Sequence, residues 1–365
     1  MVRRTLSLFC ICLLIISCTV AQTSKEEVSL QQKIEWLSQF FDKDRDGKLN
    51  AAEQAAMKEF ADEYRKKIAE PADSYAKGPY AIEAIPLYVL KTDSKELQLR
   101  ITYPVAAGTY PLILFSHGLF GTKDSYSPLI QFWASYGYVI IQTNHEDSLA
   151  LGLQKIEDAL KAWDSRPKDM SLILDCLDQL EKQFPQLQNK IDKTKIAAAG
   201  HSFGAHTSQL LAGTKCYVGW FRSKDFRDQR ITSALFISPQ GVGVLFKEKS
   251  FSFVQIPAMI ITGSQDTSPI NGKGPDWRKE AYTYSSPGDK YFVFIQNAHH
   301  GFGGITGKIP FPGSGAMDPQ QVWYVQEAGL QFFDAYLKGI ASKKQSLQQH
   351  QLETISNGEV KLDNK

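Results

Sequence analysis

"KIAAAGHSFGAHTSQLLAG", residues 195–213, runs from a short apolar stretch through a serine flanked by two glycines into a longer mixed stretch. "KIAAA" reads as a strand and "FGAHTSQLLAG" as a helix. A strand that passes directly into a helix through G-x-S-x-G is the setting of a nucleophile elbow. Its two glycines give room for a strained turn that lifts the serine hydroxyl above the end of a sheet. Ser202 is therefore the candidate nucleophile.

Working outward, "LQLRITYPV", "YPLILFSHG", "YVIIQTN", "SALFIS", "AMIITG" and "KYFVFIQ" read as further strands. Helical stretches fall between them: "SPLIQFWASYG", residues 170–184, and "PQQVWYVQEAGLQFFDAYLKG" near the end. Short apolar strands alternating with helices imply an α/β fold, a mostly parallel sheet covered on both faces. Chemistry in such sheets gathers beyond the carboxyl ends of the strands.

A serine hydroxyl needs a base to take its proton, and the base needs an acid to fix its tautomer. After an elbow of this kind the chain order is serine, acid, histidine. Asp266 follows the strand "AMIITG", and "QNAHHGFGG" (296–304) places His299 and His300 just past the next strand. Asp225, Asp228 and Asp276 sit inside polar loops, where solvation accounts for them. The loop "FSHGLFG" (115–121) follows an early strand, and the oxyanion of an acyl-transfer intermediate needs two backbone N–H donors. Phe203, next to the nucleophile, offers one and Leu119 the other. His117 reads as a residue that orients this loop, and His206 as one packing beside the elbow. Phe120 and Phe203 are expected to wall the substrate pocket, with His201 lining it. "WFRSKDFRDQR" and "NGKGPDWRKEAYTYSSPG" are candidate rim or lid segments.

With "FSHGLFGTKDSYSPLIQFWASYGYVIIQTNHEDS", "GHSFGAH" and "TGSQDTSPI" in hand, residues 80–342 resemble one branch of the α/β-hydrolases. It is the branch that contains platelet-activating-factor acetylhydrolases, chlorophyllases and exported polyester hydrolases. The resemblance implies a serine esterase that needs no cofactor for catalysis; the apolar wall expected of Phe120 and Phe203 favours a lipid-like or aromatic ester with a short acyl group. It also implies a base in a "G-A-x-H" setting, which selects His300 over His299, with Asn297 replacing the glycine. A serine peptidase of the same fold is the alternative within enzymes; it would need a substrate-gating domain larger than the upstream segment. A calcium-stabilised binding protein without activity is the alternative outside them.

Upstream, "DKDRDGKLNAAE" (42–53) has the spacing of a calcium loop between two helices spanning 28–70. Asp42, Asp44 and Asp46 take positions 1, 3 and 5, Gly47 the sharp turn, and Glu53 position 12. Lys48 at position 7 contributes only its carbonyl. Leu30, Ile34, Leu37 and Phe41 before the loop, and Ala56, Phe60 and Tyr64 after it, recur at helical spacing. A solitary loop of this kind implies structural Ca2+ rather than a switch. Residues 71–79 read as a linker and 343–365 as a polar tail.

The first 21 residues have two arginines, an apolar run and small residues, the pattern of an export signal, while "LIIS" before Cys18 resembles a site of lipid attachment. An exported protein, held at a membrane by lipid only if at all, is the expectation. Losing Arg3 and Arg4 takes Lys+Arg from 41 to 39, equal to the 39 Asp+Glu, so nothing favours nucleic acid as a partner. Cys176 and Cys216 are the two cysteines beyond the leader. They are too few for a disulfide framework, and whether they pair is open.

Overall fold

The computed structural model describes residues 36, 38–42, 44, 46–59, 75–152, 154–218, 222–307 and 313–365. The leader with Cys18, and Leu30, Ile34, Leu37, Phe60 and Tyr64 of the helices expected around the calcium loop, lie outside them.

The strands are β1 (Ile82–Lys91), β2 (Glu96–Pro104), β3 (Tyr110–Ser116), β4 (Val139–Thr143), β5 (Ile191–His201), a small hairpin β6 (Cys216–Val218) with β7 (Arg222–Lys224), β8 (Ile231–Ile237), β9 (Ala258–Gln265), β10 (Lys290–His299) and β11 (Val360–Asn364). Nine of them form one sheet in the order β1-β2-β4-β3-β5-β8-β9-β10-β11. From β4 to β10 every neighbour pair is parallel. β1, β2 and β11 run antiparallel at the two edges.

The central strands are apolar throughout because both faces are covered. In β3, Ile113 and Phe115 enter one core with Ile140, Ala197, Ala199, Ile237 and Ile261. That face carries α1 (Ser127–Ser135) and the long α6 (Pro319–Tyr336), whose Trp133 and Phe333 meet edge to face at 5.2 Å. Leu112 and Leu114 point the other way, toward α2 (Ser165–Asp175), α3 (Leu177–Gln183) and α4 (Phe203–Leu211). α5 (Pro275–Thr283) covers β9. Among the described residues, no helix is long and apolar enough to cross a membrane.

Three boundaries differ from the sequence reading. β1 begins at Ile82, directly after the linker, and its register breaks between Ile85 and Tyr88, beside Pro86. A residue without an N–H is tolerated at such an irregularity on an edge strand. Residues 343–365 are not a tail: α7 (Ala341–Gln348) and α8 (Gln351–Ile355) return the chain to β11, which pairs with β10 and buries Val360 and Leu362. The sheet-and-helix domain therefore extends through β11. Of residues 271–288, half form α5, which packs on β9. Cys176 and Cys216 are both free thiols, and the Cys216 sulfur faces the Lys224 carbonyl at 3.4 Å.

Candidate active site

At the β5–α4 junction Ser202 adopts φ 56° and ψ −116°, a left-handed conformation that costs a non-glycine residue about 1–3 kcal/mol. Two close approaches hold it there. A Cβ on Gly204 would stand 1.9 Å from the Ser116 carbonyl oxygen, and one on Gly200 would stand 2.4 Å from the Gly204 oxygen. Both flanking glycines are thus required sterically, as the elbow motif implies.

The strand ends bring His300 and Asp266 to this serine. Ser202 Oγ lies 3.0 Å from His300 Nε2, and His300 Nδ1 lies 2.7 Å from Asp266 Oδ1. Neutral His300 protonated on Nδ1 donates to Asp266 and accepts from the Ser202 hydroxyl. His299 is exposed, at the end of β10 where residues alternate sides, whereas His300 is buried. Burial holds the His300 pKa below its ordinary value although Asp266 opposes the shift.

Asp266 is fully buried and would be pushed up by desolvation. The Arg278 guanidinium, then His300 and the Ser238 hydroxyl, instead hold its carboxyl well below the usual carboxylate range. Arg278 Nε stands 3.7 Å from Asp266 Oδ1. Thr262 Oγ1 donates to Asp266 Oδ2 at 2.8 Å, and Ser238 Oγ donates to the same oxygen. Asp225 accepts the Arg227 N–H, Asp228 pairs with Arg230, and Asp276 lies in the first turn of α5.

Leu119 and Ser202 share the wall of one cleft. Of three successive N–H groups in the loop, that of Gly118 donates to the Tyr126 hydroxyl at 3.0 Å and that of Phe120 to Asp147 at 3.1 Å. The Leu119 N–H between them has no acceptor among the described residues. The Phe203 N–H, first in α4, is one of the donors that a helix start leaves without an intrahelical partner. Two donors thus flank the serine.

The loop is clamped from beneath by a group the sequence reading missed. Buried Arg166 donates to the His117 carbonyl at 2.6 Å and the Gly118 carbonyl at 3.2 Å, and its Nε donates to Asp147 Oδ1 at 2.8 Å. His117 Nδ1–H adds a second donor to the Gly118 oxygen at 2.7 Å. In a trans peptide the C=O and the next N–H point opposite ways, so holding the Gly118 oxygen downward turns the Leu119 N–H up toward the cleft. His145 completes the support, between Ser116 Oγ at 2.9 Å and Asp169 at 2.9 Å. The available signal was an arginine on the apolar side of a helix. Arg166→Met should leave Asp147 as a buried unpaired carboxylate and lower stability by about 3–5 kcal/mol. Denaturant titration beside wild type measures this, and an unchanged midpoint would contradict the clamp.

Phe120 and Phe203 do not wall the cleft as expected. Phe120, at φ 61°, is buried against Trp36 and Phe40. Phe203 is stacked between His206 and Arg166, with the guanidinium carbon 4.3 Å from its ring centre. The cleft is lined instead by Phe40, Leu119, Pro269, Ile270, His201 and His300, among others. His201 does lie there. It accepts from the Tyr126 hydroxyl at 2.9 Å and donates to the His300 carbonyl at 2.8 Å, which ties the 115–121 loop to the 296–304 loop. His206, between Phe203 and Phe246, is pushed down to about 3 by burial, first, and by Arg166.

In the upstream loop, carboxylate oxygens of Asp42, Asp44 and Asp46 lie within 4.8 Å of one another. Asp42 accepts the Gly47 N–H at 2.9 Å, and Asp46 accepts that of exposed Lys48 at 2.8 Å. Glu53 is buried and accepts the Asn50 N–H at 2.9 Å. The donors are all hard oxygens. The Asp44 carboxyl is pushed up although the Asp46 N–H opposes it; slight desolvation and the charges of Asp46 and Glu53 outweigh that bond. Such crowding suits a divalent cation.

Residues 71–218 match the chlorophyllase family model, a span that includes the 115–121 loop and Ser202 and stops short of Asp266 and His300. The chain is 25% identical to Cutinase est1 of Thermobifida alba, over 66% of this chain and 74% of that protein. It is 32% identical to the platelet-activating factor acetylhydrolase of Bos taurus, over 27% of this chain and 31% of that one. It is 31% identical to Chlorophyllase-1 of Arabidopsis thaliana, over 31% and 32% respectively. The chain spans about a third of the last two relatives. Its mostly parallel sheet with helices on both faces is an α/β-hydrolase-type fold, and the chain is similar to chlorophyllases over residues 71–218 and to other ester hydrolases.

Proposed function

We propose that the protein is a serine ester hydrolase that works through an acyl-enzyme. The observation that carries this reading is His300 Nε2 at 3.0 Å from Ser202 Oγ, with Asp266 behind it and the Leu119 and Phe203 N–H groups beside it. Ser202 attacks the ester carbonyl while His300 takes its proton. The two N–H groups stabilise the oxyanion; losing one such donor typically costs about 3 kcal/mol. His300 then returns the proton to the leaving alcohol, and water, deprotonated by His300, releases the acid. Hydrolysis of short nitrophenyl esters by wild type and Ser202→Ala tests this: equal rates would end it.

The cleft supports a small acyl group on an apolar ester. Leu119, Ile270 and Phe40 border the space beside Ser202. Export, free or lipid-held, is proposed on the leader's pattern and fits the similarity to cutinases.

The base must be neutral to act, so kcat/KM for a neutral ester should rise with pH through the His300 pKa. Because burial lowers that value, the midpoint should fall below 6.5. A midpoint above 7 in a pH–rate profile would contradict the burial argument.

The loop at Asp42 is proposed to bind calcium through Asp42, Asp44, Asp46, the Lys48 carbonyl and Glu53. Bound there, the ion would offset the carboxylate crowding and tie two helical segments together. No chemical step uses it. Calcium at a hundredfold excess over its Kd should stabilise the fold by about 2.7 kcal/mol. The melting temperature should therefore drop with chelator, and Asp42→Ala should melt like chelated wild type, insensitive to the ion. No shift in either comparison would remove the metal from the account.

A further inference from the structure

The calcium-loop segment is packed into the catalytic cleft. Phe40 lines the cleft with Ser202, Leu119, Ile270 and His300. Its ring meets Trp36 at 5.0 Å and Phe120 at 5.5 Å, both edge to face, and Trp36 meets Phe120 at 5.4 Å. Phe120 is the left-handed residue of the oxyanion loop, so this three-ring contact braces the same turn that presents the Leu119 N–H. Trp36, Phe41 and Met57, from both sides of the calcium loop, are buried in one apolar cluster with Leu119, Phe120, Leu149 and Phe203. Gln39 accepts the Ile156 N–H at 3.1 Å and fixes the segment's position along the domain.

From these contacts we infer that Phe40 is a specificity-determining residue that closes the acyl side of the cleft. The calcium loop sets its position. This rests on the esterase and calcium readings above. Asp42 follows Phe40 by two residues, which places the first proposed ligand at most about 7.6 Å away along the chain. The Phe41 and Asp42 N–H groups both donate to the Ser38 carbonyl, at 2.9 and 3.0 Å, so the last turn before the loop is continuous with the loop itself. An ion that gathers Asp42, Asp44 and Asp46 thus fixes the end of the turn that carries Phe40. Releasing it frees the ring to leave the cleft, and longer acyl chains can then enter.

The measurement is the ratio of kcat/KM for nitrophenyl octanoate to that for nitrophenyl acetate. Phe40→Ala should raise this ratio by about tenfold or more, the discrimination that one or two methylenes provide in an apolar pocket. Phe40→Trp should lower it, and the pair of variants guards against a loss of folding in either. Wild type in chelator, and Glu53→Gln in calcium, should shift the ratio in the same direction as Phe40→Ala. Independently of turnover, calcium titration should change the tryptophan fluorescence of wild type, and the change should vanish in Trp36→Phe. A ratio unchanged in both Phe40 variants, with wild type active, overturns the inference. A ratio that moves with Phe40 but not with chelator, and fluorescence indifferent to calcium, overturns the calcium link. Wild type inactive on every ester, with Ser202 unlabelled by a fluorophosphonate, refutes the esterase reading, and the inference falls with it.

Discussion

His300→Ala should lower kcat on a short nitrophenyl ester by about 10⁶, the scale of removing a serine hydrolase's base. His299→Ala should leave it close to wild type, since its side chain is exposed and Ser202 and Asp266 are engaged by His300 instead. The two residues are adjacent, yet only one imidazole reaches the nucleophile, at 3.0 Å, while the other faces outward at the end of β10. The nucleophile hydroxyl is inert without a proton acceptor, and no second described imidazole replaces it: His201 has its ring nitrogens engaged by Tyr126 and the His300 carbonyl. Steady-state rates of the two variants, each checked for a wild-type melting profile, decide between them. A dead His299→Ala beside an active His300→Ala would invert the assignment.

The second large effect is expected of Asp266→Asn, a fall in kcat of about 10⁴. An amide in place of the carboxylate can hold the His300 ring by its Nδ1 in the wrong tautomer and cannot stabilise the imidazolium. It also leaves Arg278, which is 2% exposed, facing a neutral partner. The loss should therefore come with reduced stability, and the two are separable by measuring turnover well below the melting temperature. Ser238→Ala, which removes one donor to the carboxylate, should cost far less. An Asp266→Asn enzyme with near-wild rates would mean that another group orients the base.

The core of the fold was readable because β3, β4, β5, β8, β9 and β10 are buried on both faces, which leaves continuous apolar runs between helices. The elbow was readable because its two glycines bracket the serine between a strand and a helix, although the atom that crowds Gly204 belongs to Ser116 on β3. β11 was not, since an edge strand shows only Val360 and Leu362 to the core and the rest is polar. The pair Asp147 and Arg166, and the partners Ser238 and Arg278, escaped notice for another reason. Each acts across a separation of 12 to 48 residues that only the assembled sheet closes. The aromatic wall was misassigned because sequence places Phe120 beside the oxyanion loop but gives no sign of the side on which its ring packs. That side is occupied by Trp36 and Phe40, from a segment about 80 residues earlier.

The central claim is a covalent acyl intermediate on Ser202. Mixing the protein with a nitrophenyl acetate, quenching within the first turnovers and sequencing the peptides by mass spectrometry tests it directly. The account predicts an acetyl group on Ser202 that accumulates in wild type and persists longest where water attack is slowed. Turnover of the ester with Ser202 unmodified, or in the Ser202→Ala variant at the wild-type rate, would contradict it.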